Sequence, residues 1–362
     1  MQWVAPRLSP ALWAPPLCRC TTHRITLSNE QLWFGTPNTK PACKIRLVWH
    51  SAQRHKGGGR RPGDSRGAEC HSGLIPPTRS WSLNRSYSTR NGSVPICQNA
   101  IMKYEHLLLS TDETITTITL NRPEKRNALA MNAMLELTQA LQAVARSDAL
   151  GVILAANGPV FSAGHNFGDM AGATLEQARE LFAVCTTMMD AIQAMPQPVI
   201  ARVHALATAA GCQLVASCDL AIAADTASFA IPGGKGGLFC HTPLVAIARS
   251  VGRKRALEMA LTGDAIDART AAEWGLINRC VPADQLDAAT LDLIGRASRG
   301  SALSKALGKQ GFYQQAGLPQ DEAYRLAVEL MASAAMTPDA QEGMRSFLEK
   351  RHAHYTQRPN PT

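Results

Sequence analysis

No stretch of the 362-residue sequence approaches the roughly 18–20 uninterrupted apolar residues that a membrane-spanning helix needs. That excludes an integral helical membrane protein and leaves a soluble one as the expectation. Cysteine pairs at C-x-x-C spacing are also missing. Cys18-Arg19-Cys20 with His23 has no second half at zinc-finger distance, so no metal site is expected. The run Gly233-Gly234-Lys235-Gly236-Gly237 lacks both the Ser or Thr after its lysine and the spacing of a phosphate loop. It reads instead as a flexible active-site or surface loop, and no nucleotide cofactor is implied. No internal repeat or low-complexity tract interrupts residues 102–362.

Acidic residues are scarce only at the front. The whole chain carries 37 Lys+Arg against 28 Asp+Glu, a net charge of +9. Residues 1–101 hold 14 of the basic and 3 of the acidic groups, a local charge of +11, which leaves 23 basic and 25 acidic residues, or −2, in 102–362. Five of the six tryptophans and five of the ten cysteines also precede Ile101. Two compositions are therefore joined: a basic extension, 1–101, and one catalytic-sized domain, 102–362, long enough to bury a full core.

Residues 1–101 lack helical or alternating periodicity and are punctuated by Pro and Gly, as in Pro15-Pro16, Lys56 to Gly63 and Pro76-Pro77. Three readings stay open: a mitochondrial-type presequence, a nucleic-acid-binding arm, or sequence translated upstream of a start at Met102. A matrix location follows from the first and a cytoplasmic one from the third. The arm would need its basic residues in a stripe or motif, and none is visible, so nucleic acid is not an expected partner.

The second part has ordered periodicity. Ile115–Leu120 reads as a strand ended by Asn121-Arg122-Pro123, and 128–146 as an amphipathic helix with Asn127 as its N-cap. Short apolar runs at Val152–Ala155 and Pro198–Val203 suit buried strands on either side of a helix, Leu175–Met195. A short helix at Gly211–Ala216, strands at Cys218–Ala223 and Ser228–Ile231, and helical pattern from Ala256 onward complete the reading. The fold class is α/β with a helical C-terminal region from about residue 290. Cys185, Cys212, Cys218 and Cys280 lie in apolar runs and read as buried, reduced thiols, which favours a reducing compartment.

Two small-residue segments follow predicted strands: Gly158 to His165, and His204 to Cys212. Small side chains there admit close approach of a ligand to the backbone. The second segment opens a helix whose unpaired N–H groups and positive dipole end can stabilise an anionic oxygen. Two such donors aimed at one thioester carbonyl would make an oxyanion hole. The same composition also fits a strand and a helix packed tightly through Ala and Gly.

Five segments stand in an order that narrows this choice: Asn121-Arg122-Pro123-Glu124-Lys125-Arg126-Asn127-Ala128-Leu129, Phe161-Ser162-Ala163-Gly164-His165, Ala209-Ala210-Gly211-Cys212, Ala260 to Asp264, and Glu342 to Arg351. Together they resemble the enoyl-CoA hydratase/isomerase (crotonase) family over about 104–355. The resemblance implies a spiral of β-β-α units, trimers or dimers of trimers, and an acyl-CoA substrate in fatty-acid or acyl-CoA metabolism, with no cofactor besides the CoA thioester. It also implies that the N–H groups of His165 and Ala210 hold the thioester oxygen. Arg126, Ala128, Leu129, Ala163, Asn166 and Phe167 would line the CoA groove, and Phe347 and Lys350 would reach a CoA, that of a neighbouring subunit included.

The chain departs from that pattern at the catalytic carboxylates. Where the family carries two water-activating glutamates, this sequence has Gln213 and Gly233, and an aspartate of the groove is replaced by Asn166. A Gln holds a water or carbonyl but accepts no proton near neutral pH, and Gly offers no side chain. Hydration by the two-glutamate route is therefore not expected. An enolate-forming reaction that needs little proton abstraction, such as decarboxylation of a β-carboxyacyl-CoA, remains open, as does a non-catalytic acyl-CoA-binding trimer. Side-chain replacements are sought in Cys240 and His241, which the pattern places in an extended loop, Gly237–Pro243, where neighbouring side chains point apart.

Overall fold

The computed structural model describes residues 104–356; the basic segment 1–101 and the readings that fall on it lie outside the described residues. A six-stranded sheet runs in the order β1 (Leu107–Asp112), β2 (Ile115–Leu120), β3 (Gly151–Ala156), β4 (Val199–Val203), β6 (Leu220–Ala224), β9 (Arg279–Val281). A second, three-stranded sheet contains β5 (Ala207–Thr208), β7 (Ser228–Ala230) and β8 (Ile266–Asp267). Only β1 pairs antiparallel in the larger sheet; β2, β3, β4, β6 and β9 are parallel.

The chain alternates between the sheets. β4 enters the large sheet, β5 the small one, and α3 (Ala210–Ser217) returns; β6 and β7 repeat the sequence before α4 (His241–Val251) and α5 (Arg253–Thr262). β3 does the same in reduced form: Ser162 makes an isolated parallel bridge to Ala207 before α2 (Leu175–Ala194) begins. Successive β-β-α turns thus stack side by side. This is the spiral that the five segments implied.

Helices cover both sheet faces because side chains alternate along buried parallel strands. Val152 and Leu154 of β3 face α2 and α1 (Met131–Ala145), which bury Leu181, Met188 and Ile192, and Met134, Leu137 and Leu141. Each of these fully buried side chains stabilises the fold by about 1.5–3 kcal/mol. Ile153, Ile200 and Ile222 face the other way, under Leu286 and Ile294 of α7 (Leu286–Ser298). The short α6 (Ala268–Trp274) links β8 to β9. After α7 come α8 (Ala302–Gln315), α9 (Gln320–Ala335) and α10 (Pro338–Leu348); α9 buries no residue at all.

Several boundaries differ from expectation for identifiable reasons. β1 was not anticipated, because Leu108 and Leu109 are both exposed and the strand shows no alternation. Asn127 does not cap α1. It is buried in the left-handed region (φ 49°), where Nδ2 donates to the Asn157 and Val160 carbonyls and Oδ1 accepts from Arg122 N–H. The first N–H of α1, on Met131, is instead received by Asp169, 3.0 Å away and 38 residues later. Residues 237–243 are not extended throughout: Cys240 is an N-cap and His241 the first residue of α4.

Candidate active site

The two expected donors belong to peptide units that the fold brings together. Arg126 to Leu129 runs beside Ala163 to Asn166, with Ala163 N–H donating to the Arg126 carbonyl (3.0 Å) and Leu129 N–H to the Gly164 carbonyl (2.7 Å). Five of the six expected groove positions are residues of this ladder, and Phe167 follows directly, 77% exposed. On its far side Thr208 N–H donates to the Ser162 carbonyl (3.0 Å), while Ser162 Oγ donates to the Asn127 carbonyl (2.8 Å). Ser162, fully buried, thereby ties the ladder to the small sheet.

Glycine is required where these layers meet. Gly164 has φ +79°, and a Cβ on it would lie 2.9 Å from the Thr208 carbonyl oxygen and 3.0 Å from Ala210 N. Gly211 faces Ser162 so closely that a Cβ would sit 2.5 Å from its carbonyl oxygen. Ala209 begins α3 at φ 51°, ψ −120°, a conformation that costs a non-glycine residue on the order of 1–3 kcal/mol. Its own N–H is held by the Ala230 carbonyl (2.9 Å), which fixes the direction of the next peptide. The N–H groups of His165 and Ala210 donate to no acceptor among the described residues. Ala210 is the first residue of α3, and the close approach of Gly164, the residue before His165, to Ala210 N brings the two segments together.

Beside the polar side chains here, one carboxylate, Asp169, acts on His165. The His165 ring packs edge-on against Phe182 of α2, with centroids 5.4 Å apart. Burial pushes its pKa below the ordinary range, against the weaker pull of the Leu129 carbonyl and the Asp169 carboxylate. Asn166 turns inward on its own loop, accepting from Gly168 N–H and donating to Asp169 (3.0 Å). Gln213 is 5% exposed and its Oε1 is unpartnered.

Gly233 lies in a tight turn, Pro232–Gly234, where a Cβ would run into the Leu238 carbonyl and come within 2.5 Å of Cys240 Sγ. The sulfur fills the space beside this position. Cys240 is buried, and burial raises its pKa against the opposing influence of Gly233 N–H; fully buried Cys212, nearby, is pushed up to about 12. Both are thiols rather than thiolates at neutral pH, which makes them weak nucleophiles. His241 is exposed beside the Phe239 ring (5.1 Å), and no hydrogen bond joins it to Cys240. Phe347 (82% exposed) and Lys350 lie at and just beyond the end of α10, which packs on α8 and α9. No cluster of metal-ligating residues occurs among the described residues.

Sequence reasoning missed three participants. Asp169 and Phe182 carry no motif, and Thr208, whose buried Oγ1 is unpartnered, lay within the segment His204 to Cys212 without being given a role. For Phe182, the helical spacing along α2 was the one available signal.

A spiral of β-β-α turns with a helical C-terminal region is the fold of the crotonase class. The chain belongs to the enoyl-CoA hydratase/isomerase family, whose profile matches residues 110–358. It is 45% identical over 241 residues to enoyl-CoA hydratase domain-containing protein 3, mitochondrial, of Mus musculus, covering 66% of this chain and 80% of the mouse protein. Among solved structures, an enoyl-CoA hydratase of Mycobacterium smegmatis matches with TM-score 0.68 and 44% identity over 70% of this chain and 99% of that one. Human enoyl Coenzyme A hydratase domain-containing protein 3 matches with TM-score 0.65 and 41% identity, over 69% and 100%.

Proposed function

We propose that the protein is an acyl-CoA-binding enzyme that stabilises a thioester enolate between the N–H groups of His165 and Ala210 without the two-glutamate hydration route. The observation that carries this reading is the pair of unpartnered donors, held by Gly164, Ser162 and the strained Ala209. A carbonyl oxygen gains negative charge as electrons flow into it from the α-carbon. Fixed donors favour that state over the neutral thioester, typically by about 10² to 10³ in rate per donor. The substituents at the two glutamate positions, a Gln and a Gly, take no proton from water, so the reaction class that fits is one whose electrons reach the enolate otherwise. In decarboxylation of a β-carboxyacyl-CoA the C–C bond supplies them, CO₂ leaves, and the α-carbon takes a proton from solvent.

Supporting the wider reading, the relatives' names place them in mitochondria, which fits a presequence within 1–101. The exposed Val328 and Met331 of α9, a helix with no buried residue, fit a homotrimer or hexamer in which a neighbour covers them. A second reading, a non-catalytic acyl-CoA-binding trimer, is favoured by Cys240 and the Leu238 carbonyl crowding the second glutamate position.

The test is a panel of enoyl-, β-carboxyacyl- and other acyl-CoAs measured for binding and turnover together. Turnover of a non-enoyl ester, cut about 10² to 10³-fold in a folded Ala210→Pro variant that lacks one donor, is the expected result. Tight binding without any turnover selects the second reading. Brisk hydration of crotonyl-CoA would defeat the claim that Gln213 and Gly233 disable that route.

A further inference from the structure

Asn157, Gly158 and Pro159, where the chain leaves β3, form an exposed run. An asparagine followed by glycine is the pair whose side-chain carboxamide is most open to attack by the next main-chain nitrogen, because no Cβ on the following residue shields that nitrogen. Among the described residues this pair occurs once: Asn121, Asn127, Asn132, Asn166 and Asn278 all precede residues that carry a Cβ. Nor can residue 158 be exchanged freely for a shielding one. Gly158 has φ +93°, and a Cβ on it would lie 2.4 Å from Pro123 Cβ. Three further features favour attack. Gly158 N–H donates to no acceptor among the described residues, so the nitrogen is free to lose its proton. The oxygen of the same peptide unit, the Asn157 carbonyl, accepts from Nδ2 of buried Asn127 at 2.7 Å. That bond favours the anion formed when the nitrogen deprotonates, because the oxygen shares its charge. The carboxamide nitrogen that must leave makes one exposed bond, to Asn121 Oδ1 (3.0 Å).

We propose that Asn157 is a site of spontaneous covalent modification, converted by water through a cyclic imide to aspartate and isoaspartate. The Gly158 nitrogen bonds to Asn157 Cγ, the Cγ–Nδ2 bond breaks, and ammonia leaves with the proton that the Gly158 nitrogen gave up. Water then opens the imide. Addition at Cγ gives aspartate, and addition at the main-chain carbonyl carbon gives isoaspartate; nothing is oxidised or reduced. The isoaspartate product lengthens the main chain by one carbon and turns the carbonyl that Asn127 holds into a side-chain carboxylate. Asn127 also donates to the Val160 carbonyl (3.1 Å), and its own carbonyl accepts from Ser162 Oγ (2.8 Å). One buried side chain therefore links residue 157 to the ladder that carries His165.

The test is incubation of the full chain at mildly alkaline pH, followed by peptide mapping by mass, methylation by an isoaspartyl methyltransferase as the probe for isoaspartate, and melting temperature. Mapping separates residue 157 from Asn91-Gly92, which lies outside the described residues. The expected result is a gain of one mass unit at Asn157 before any other described asparagine, with isoaspartate at that position. The melting temperature of the modified chain should be lower by roughly 2–12 °C, the loss of two hydrogen bonds. Asn157→Gln, whose longer side chain closes the ring less readily, is expected to keep its mass at 157 and its melting temperature through the same incubation. The parent time course alone decides the matter if that variant does not fold. An Asn157 amide that outlasts that of any other described asparagine overturns the proposal. Isoaspartate at 157 with an unchanged melting temperature overturns the link through Asn127.

Discussion

Replacing Asp219 by alanine should loosen the grip of α8 on the spiral. Asp219 follows Cys218 at the entry to β6, and its side chain is 15% exposed. Its carboxylate accepts from Val199 N–H at the start of β4 (2.7 Å), from Tyr313 OH (2.8 Å) and from Lys309 Nζ (2.7 Å), the last two on α8. Lys309 also donates to the Ile192 and Gln197 carbonyls, both at 2.8 Å, so one ammonium closes the end of α2 and the turn after it. Burial lowers the Lys309 pKa and Asp219 opposes that shift. Without Asp219, a buried ammonium, a backbone N–H and a phenol lose their acceptor together. Breaking a buried pair from one side costs about 3–5 kcal/mol. At about 2–4 °C per kcal/mol for a domain of this size, the melting temperature should fall by roughly 6–20 °C. Lys309→Met should cost less, about 1–3 kcal/mol, because Asp219 keeps two donors and only two carbonyls are stranded. Urea denaturation of both single variants and the double variant measures the coupling, expected to exceed about 1 kcal/mol. An Asp219→Ala variant within 1 kcal/mol of the parent at unchanged m-value would refute this account of how α8 is held.

Gly233→Ala forces a Cβ against the Leu238 carbonyl and Cys240 Sγ and should destabilise by about 1–3 kcal/mol in the same denaturation assay. For the same reason the double change Gln213→Glu with Gly233→Glu should not confer crotonyl-CoA hydration; hydration by that variant, followed by loss of enoyl absorbance, would show that the loop yields. His165 has a folded pKa depressed below its unfolded value, so the unfolded chain binds more protons between the two. Stability should therefore be complete above about pH 6.5 and decline as pH falls through the depressed value. Melting temperatures from pH 7.5 to 5 should show a shallower acid decline in His165→Phe; an identical slope would contradict the burial argument.

Each regular element left its own signal: β2 matches its expected bounds through a β-branched run, while β3, buried on both faces, and α2, with apolar residues at helical spacing, fall within a residue of theirs. β1 was illegible because an edge strand with outward leucines carries no alternation. The cap of α1 was misassigned for a different reason: the nearest Asn is spent on the 157–160 loop, and the carboxylate that serves the helix comes from 38 residues away. Such long-range substitution leaves no local trace. At the site, Gly164, His165 and Ala210 were legible as ordered motifs, whereas the Cys240 sulfur beside Gly233 depends on a turn closed by Leu238 N–H to the Gly233 carbonyl. Reading Cys240 and His241 as neighbours in one extended loop failed for want of that turn and of the helix start that follows it.

Because the two proposed donors are main-chain groups, the proposed hole would be written in the path of the chain and not in the identity of residues 165 and 210. Every amino acid except proline supplies the same N–H. Alanine scanning has nothing to remove at Ala210, and the proposed geometry would pass unnoticed in any survey of side-chain loss. What such a survey would register is its scaffold: Gly164, Ser162 and Gly211, where added or missing atoms move the peptides apart. On the proposed reading, the side chains at 213 and 233 can change while these two main-chain groups stay where the fold puts them.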